Sequence, residues 1–140
     1  MRTRTNSHGV LAVLVLLTLS GCDTFAPETL GSFTWSELEG GPVEEMSTFT
    51  AIGRDVLVLG ELNTPTACYS LSPDLTETSS RLTLRIEARN RDSPNCAQRV
   101  GSFRYDAQLN GLDNGTYDLI VVHDIGGNRT EFEHQLVISR

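Results

Sequence analysis

In several short runs of the chain, apolar and polar residues exchange places at every second position. Leu82, Leu84, Ile86 and Ala88 alternate with Thr83, Arg85, Glu87 and Arg89. That is the period of a strand with one dry face and one wet face. Val100 to Leu109 repeats the pattern, with Phe103 and Tyr105 sharing a face. Ser47 to Ile52 places Phe49 and Ala51 together, and Val56 to Leu62 is an aliphatic strand. Ser32 to Leu38 reads as a weaker first strand, and Cys68 to Leu71 as a short one. Gly40-Gly41-Pro42, Gly53-Arg54-Asp55, Asn63 to Pro65 and Asn110 to Gly115 supply turns. Ser72 to Ser80, which is polar and contains Pro73, reads as a loop, as does Asn90 to Gln98. Tyr117 to His123 and Thr130 to Ile138 form a closing hairpin around Gly126-Gly127. Its register pairs Val121 with Phe132 and Tyr117 with Leu136, apolar against apolar, and sets His134 against Leu119. The expected fold is all-β: an antiparallel β-sandwich of about seven or eight strands.

The first 21 residues follow a different rule. Arg2 and Arg4 precede the ten-residue run Val10 to Leu19, which is apolar except at Thr18. Ten helical residues cover about 15 Å, half of a roughly 30 Å hydrocarbon core, too short to span it. The run ends in Leu19-Ser20-Gly21-Cys22. Basic start, short apolar run and small residues before a cysteine resemble the signal peptide of bacterial lipoproteins. The resemblance implies removal of residues 1–21 and attachment of a diacylglycerol and an N-acyl lipid to Cys22. It implies a cell-envelope protein held at a membrane by that lipid. Asp23 resembles an inner-membrane retention signal of enterobacteria, and the choice of membrane stays open. The expected organisation is a signal at 1–21, a lipidated Cys22 with a tether to residue 32, and a sandwich domain over 33–140.

Composition then narrows the partners. Without residues 1–21 the 140-residue chain becomes 119 residues, a single-domain length. The 11 basic residues, all arginine, become 9 against 18 acids, a balance of about −9 that argues against nucleic acid. Three cysteines leave an odd thiol in an exported protein. With Cys22 assigned to lipid, Cys68 and Cys96 remain to pair as a disulfide. Neither sits in a CxxC motif, and a metal site would need further ligands near by.

Leu112-x-x-Gly115-x-Tyr117-x-Leu119-x-Val121 resembles the corner of immunoglobulin-like, fibronectin-III-like and transthyretin-like domains. There a tyrosine after a glycine turn bonds its hydroxyl back to the backbone. More widely, Gly60, Thr64-Pro65, Cys68-Tyr69, Cys96 and Gly115-Thr116-Tyr117 resemble small bacterial envelope lipoproteins. Neither resemblance carries an activity.

The chemistry-bearing residues are sparse. Arg81, Arg85, Arg89 and Arg91 share a parity and form a stripe on the outward face of one strand, a candidate partner-binding surface. The plainer reading of that stripe is a solvated strand that resists edge pairing. His123 and His134 fall four ladder positions apart, too far to share a small ion, and Asp124 points away from His123. No GxSxG motif is present, so a serine hydrolase is disfavoured. Asp113, Asn114 and Asp118 lack calcium-loop spacing and read as turn formers. Asn114-Gly-Thr116 and Asn128-Arg-Thr130 match glycosylation sequons, incidental in a bacterial lipoprotein. The sequence therefore points to a non-catalytic binding or assembly module with a protein partner in the envelope and no metal. The alternatives are an inhibitor or chaperone-like accessory of exported proteins, contacting through Ser72–Ser80 and Asn90–Gln98, and, more remotely, an enzyme.

Overall fold

Eight strands, stacked as two sheets of four, make up the computed structural model, which describes residues 29–139. The signal segment, Cys22 and most of the expected tether lie outside the described residues. The strands are β1 (Leu30–Leu38), β2 (Met46–Ile52), β3 (Asp55–Thr64), β4 (Tyr69–Glu77), β5 (Arg81–Asn90), β6 (Gly101–Leu109), β7 (Gly115–Ile125) and β8 (Asn128–Ile138). One sheet has the order β1-β6-β3-β2 and the other β4-β5-β7-β8. The described residues contain no helix.

Alternation decides what goes inside. Val56, Val58 and Leu62 of β3 meet Phe103, Tyr105, Ala107 and Leu109 of β6 on the inner face of the first sheet. Leu82, Leu84 and Ile86 of β5 and Tyr117, Leu119 and Val121 of β7 close over them from the second sheet. Each fully buried Leu or Ile contributes about 1.5–3 kcal/mol relative to exposure. Among the described residues the core runs from Leu30 to Ile138.

All ladders are antiparallel except β5 with β7, where Leu82 faces Leu119 and Ile86 faces His123 in parallel. The departure from an all-antiparallel sandwich has a simple cause. β6 lies between them in sequence but belongs to the other sheet. The chain leaves after β5, returns after β6, and enters β7 in the direction of β5. Elsewhere the expected hairpin register is the observed one, with Val121 opposite Phe132, Tyr117 opposite Leu136 and Leu119 opposite His134.

Three expectations need correction. Ser72 to Glu77 is strand, part of β4, and not the start of a loop. Pro73 is accommodated because β4 lies at a sheet edge, where alternate N–H groups have no ladder partner. The sandwich begins at Leu30 rather than after residue 32, since Leu30 pairs with Leu109 and the Asn110 amide donates to the Thr29 carbonyl at 2.7 Å. Ala51 is exposed, because only Ser47 and Phe49 of the edge strand β2 reach inward far enough to be covered.

The corner tyrosine sits where the resemblance implies. Tyr117 is buried and its hydroxyl donates to the Asp113 carbonyl at 3.0 Å. Tyr117→Phe removes that bond alone and is expected to cost about 1 kcal/mol in urea unfolding, with m unchanged.

Candidate functional site

Arg81, Arg85 and Arg89 stand in one row because β5 turns odd-numbered residues outward, away from the buried Leu82, Leu84, Ile86 and Ala88. Two of the three face an acid across a ladder, while Arg89 faces Ser70. Asp74 of β4 lies opposite Arg85, while Asp118 and Asp124 of β7 lie opposite Arg81 and Glu87. The Arg85 guanidinium is 3.4 Å from Asp74 and 3.8 Å from Asp124, and Arg129 reaches Asp124 at 3.1 Å. Arg89 pairs with Glu87 at 2.8 Å, and that hydrogen bond holds the Glu87 carboxyl below its ordinary range. The face is thus a mosaic of alternating sign. The exposed pairs, Arg85 with Asp74 and Arg89 with Glu87, contribute little stability each, whereas Asp124 is buried beneath Arg85 and Arg129. A shallow hollow of about 340 Å³ opens between Asp74, Thr83, Arg85, Val122, Arg129 and Glu131.

Arg91 does not join the row. It lies beyond the end of β5, its amide donates to the Cys68 carbonyl at 2.8 Å, and its guanidinium sits 5.9 Å from the centroid of the Trp35 ring. Cys68 and Cys96 form a disulfide with Cα atoms 5.6 Å apart, tying the loop between β5 and β6 to the entry of β4. Asp113 is engaged by Arg54 at 2.9 Å, and Asp118 belongs to the outer face of β7, so the acidic groups near the Gly115 turn do not converge.

The most unusual chemistry is inside. His123 is fully buried and its Nε2 is 2.9 Å from the Tyr105 hydroxyl, a hydrogen bond that joins the two sheets. Its Nδ1 is buried without a partner, with Glu45 Oε2 the nearest carboxylate oxygen at 3.9 Å. Burial lowers the His123 pKa to about 4, so the ring is neutral at pH 7, and burial pushes the Tyr105 hydroxyl up. The Ser47 hydroxyl and His134 Nε2 are also buried without partners, and the His134 ring stacks edge-on against Phe49 at 5.3 Å. Asp124 points away from His123, as strand parity dictates, so no His–Asp relay forms between them. The group works as a polar tie between sheets, closed over by Phe132 at 4.9 Å from the His123 ring.

Sequence reasoning did not bring Glu45, Tyr105 and His123 together. One signal was available: His123 shares parity with the inward Tyr117, Leu119 and Val121. The tie also depends on Gly60, opposite Tyr105 in the β3–β6 ladder. A Cβ at Gly60 would stand 2.2 Å from the Tyr105 hydroxyl and 2.3 Å from Cζ, so the ring lies where that side chain would be. Gly60→Ala is expected to cost about 1–3 kcal/mol by displacing the ring. Near-ultraviolet circular dichroism should change with it, and a variant with wild-type stability and spectrum would refute the role.

No known family, curated protein or solved structure matches this chain.

Proposed function

We propose that the chain is a bacterial envelope lipoprotein, anchored at a membrane through lipid on Cys22, whose sandwich acts as a non-catalytic binding or assembly module. One observation carries the reading: the Leu19-Ser20-Gly21-Cys22 ending of the apolar run lies eight positions before the sandwich opens at Leu30. Seven intervening residues reach at most about 25 Å when extended, which holds the domain close to the bilayer. A single acyl chain binds reversibly, whereas a diacylglycerol with an N-acyl chain anchors stably.

The outer face of the second sheet is the partner surface in this reading. Arg81, Arg85 and Arg89 are interleaved with Asp74, Glu87 and Asp124, a pattern suited to a partner with its own alternating charge, and such complementarity governs specificity and encounter rate. The accessory reading retains the disulfide-tied loop before β6 but loses Ser72 to Glu77, which is strand.

The anchor is tested in cells of a lipoprotein-processing bacterium grown with radiolabelled palmitate. The wild type is expected to label and to fractionate with membranes, and Cys22→Ser to lose both. Labelling retained by Cys22→Ser overturns the reading.

A further inference from the structure

The two sheets end in four edge strands, β1, β4, β8 and β2. Three carry features that discourage a further strand. β4 contains Pro73 with Asp74 and Glu77, β8 carries Arg129, Glu131 and Glu133, and the β1 register breaks between Leu30 and Ser32. β2 carries none. Its sequence, MSTFTAI, has no charge and no proline, and its register with β3 is unbroken from Met46 to Ile52.

The direction of its free backbone groups follows from the hairpin. Ile52 faces Asp55 across the two-residue turn Gly53-Arg54, with Gly53 at φ 63°. In such a turn the closing pair is hydrogen-bonded, and bonded pairs then recur at every second position. Ile52, Thr50, Thr48 and Met46 therefore bond to β3, and Ser47, Phe49 and Ala51 direct their N–H and C=O groups to the open edge.

We propose that this edge pairs with β2 of a second copy of the chain, antiparallel about a two-fold axis at Phe49. The side chains are self-complementary about that point. Met46 and Ile52 are both exposed large apolar residues, at 42% and 69%, both on the outer face and equidistant from Phe49. The two-fold sets Met46 of each copy against Ile52 of the other, and Thr48 against Thr50. The hydrogen-bonded positions meet as Phe49 with Phe49 and Ser47 with Ala51, as an antiparallel ladder requires. Glu44 and Glu45 precede the strand, and Arg54 in the turn beyond it is held by Asp113 and the Gly111 and Leu112 carbonyls. The strand itself, Met46 to Ile52, is neutral. In a chain of net charge −7 that neutrality matters, because two copies repel over most of their surfaces. The contact is isologous and closes at two subunits.

A contact of one strand pair per copy belongs to the weak class of interfaces. Sedimentation equilibrium on residues 22–140 carrying Cys22→Ser tests it. The apparent mass is expected to rise from one copy towards two between about 10 µM and 1 mM, and further as salt screens the repulsion. Thr50→Lys and Ala51→Pro are expected to stay monomeric over that range with far-ultraviolet spectra unchanged. Ser36→Lys, on the β1 edge, should dimerise like the wild type. Hydrogen exchange should show the Phe49 and Ala51 amides protected in the dimer and open in the dilute monomer. A wild type monomeric throughout, or a dimer that survives both β2 substitutions, overturns the proposal. Protected Phe49 and Ala51 amides in a monomer also overturn it, by showing a different strand on that edge.

Discussion

Replacing both Cys68 and Cys96 with serine is expected to lower the free energy of unfolding by about 3–4 kcal/mol. The bond closes a segment with a sequence separation of 28, and its main effect is to remove conformations from the unfolded chain. A domain of this length is stable by only about 5–15 kcal/mol, so the loss is a large fraction of the total. The native state adds a local reason. Among the described backbone contacts, the loop after β5 is held by Arg91 to Cys68 at 2.8 Å and by the turn from Cys96 to Ser93 at 3.1 Å, and Asp92 takes a positive φ of 40°. The disulfide is the covalent fixture of an otherwise lightly held segment. Urea unfolding of the oxidised wild type and the double serine variant measures the loss, and m should rise because the uncrosslinked unfolded chain exposes more surface. A loss below about 1 kcal/mol would show that the unfolded ensemble is already restricted by other means.

The fold was legible wherever one face is dry and the other wet. β5, β6, β7 and β8 each show that alternation, and the β7–β8 register follows from matching apolar partners around Gly126-Gly127. Both turn glycines take positive φ, 59° and 91°, the conformation that a two-residue type I′ turn requires. Legibility failed where position in the sheet overrides local chemistry. Ser72 to Glu77 is polar and holds a proline, both turn signals, yet an edge strand tolerates them because one side makes no ladder. The β5–β7 parallel pair has no local signal at all. It exists because β6 is housed in the opposite sheet.

The candidate site divides in the same way. Strand parity was enough to line up Arg81, Arg85 and Arg89, but the acids among them come from β4 and β7, far away in sequence. Arg91 has the right parity and the wrong place, because β5 stops at Asn90 and the backbone then turns toward Cys68. The Tyr105–His123 tie was hidden for a similar reason. Each residue reads as inward within its own strand, but their meeting depends on how β6 and β7 stack from opposite sheets.

That buried tie makes the fold sensitive to acid. Stability is expected to fall by about 2 kcal/mol between pH 7 and pH 5, and by about 3 kcal/mol in all, through His123 alone. The direction follows from the two states. In the unfolded chain the imidazole takes a proton near pH 6.5, whereas in the fold burial delays protonation to about 4. Between those values the unfolded state binds more protons, so stability is complete above pH 6.5 and drains away as pH falls towards 4. The groups around the ring explain the size of the effect. Tyr105 faces Nε2 from β6, Phe132 stacks from β8, and Glu45 comes no nearer to Nδ1 than 3.9 Å. Among the described residues no carboxylate is in hydrogen-bond contact to stabilise an imidazolium there. His123→Gln keeps a neutral hydrogen-bonding side chain and removes the titration. Its stability should vary little from pH 7 to pH 5, a range above most carboxylate pKa values. Urea unfolding curves collected at half-unit steps for both proteins measure the difference in slope. A wild type with flat stability across that range, or a variant that keeps the full slope, would show that His123 is not the group whose burial sets the acid limit.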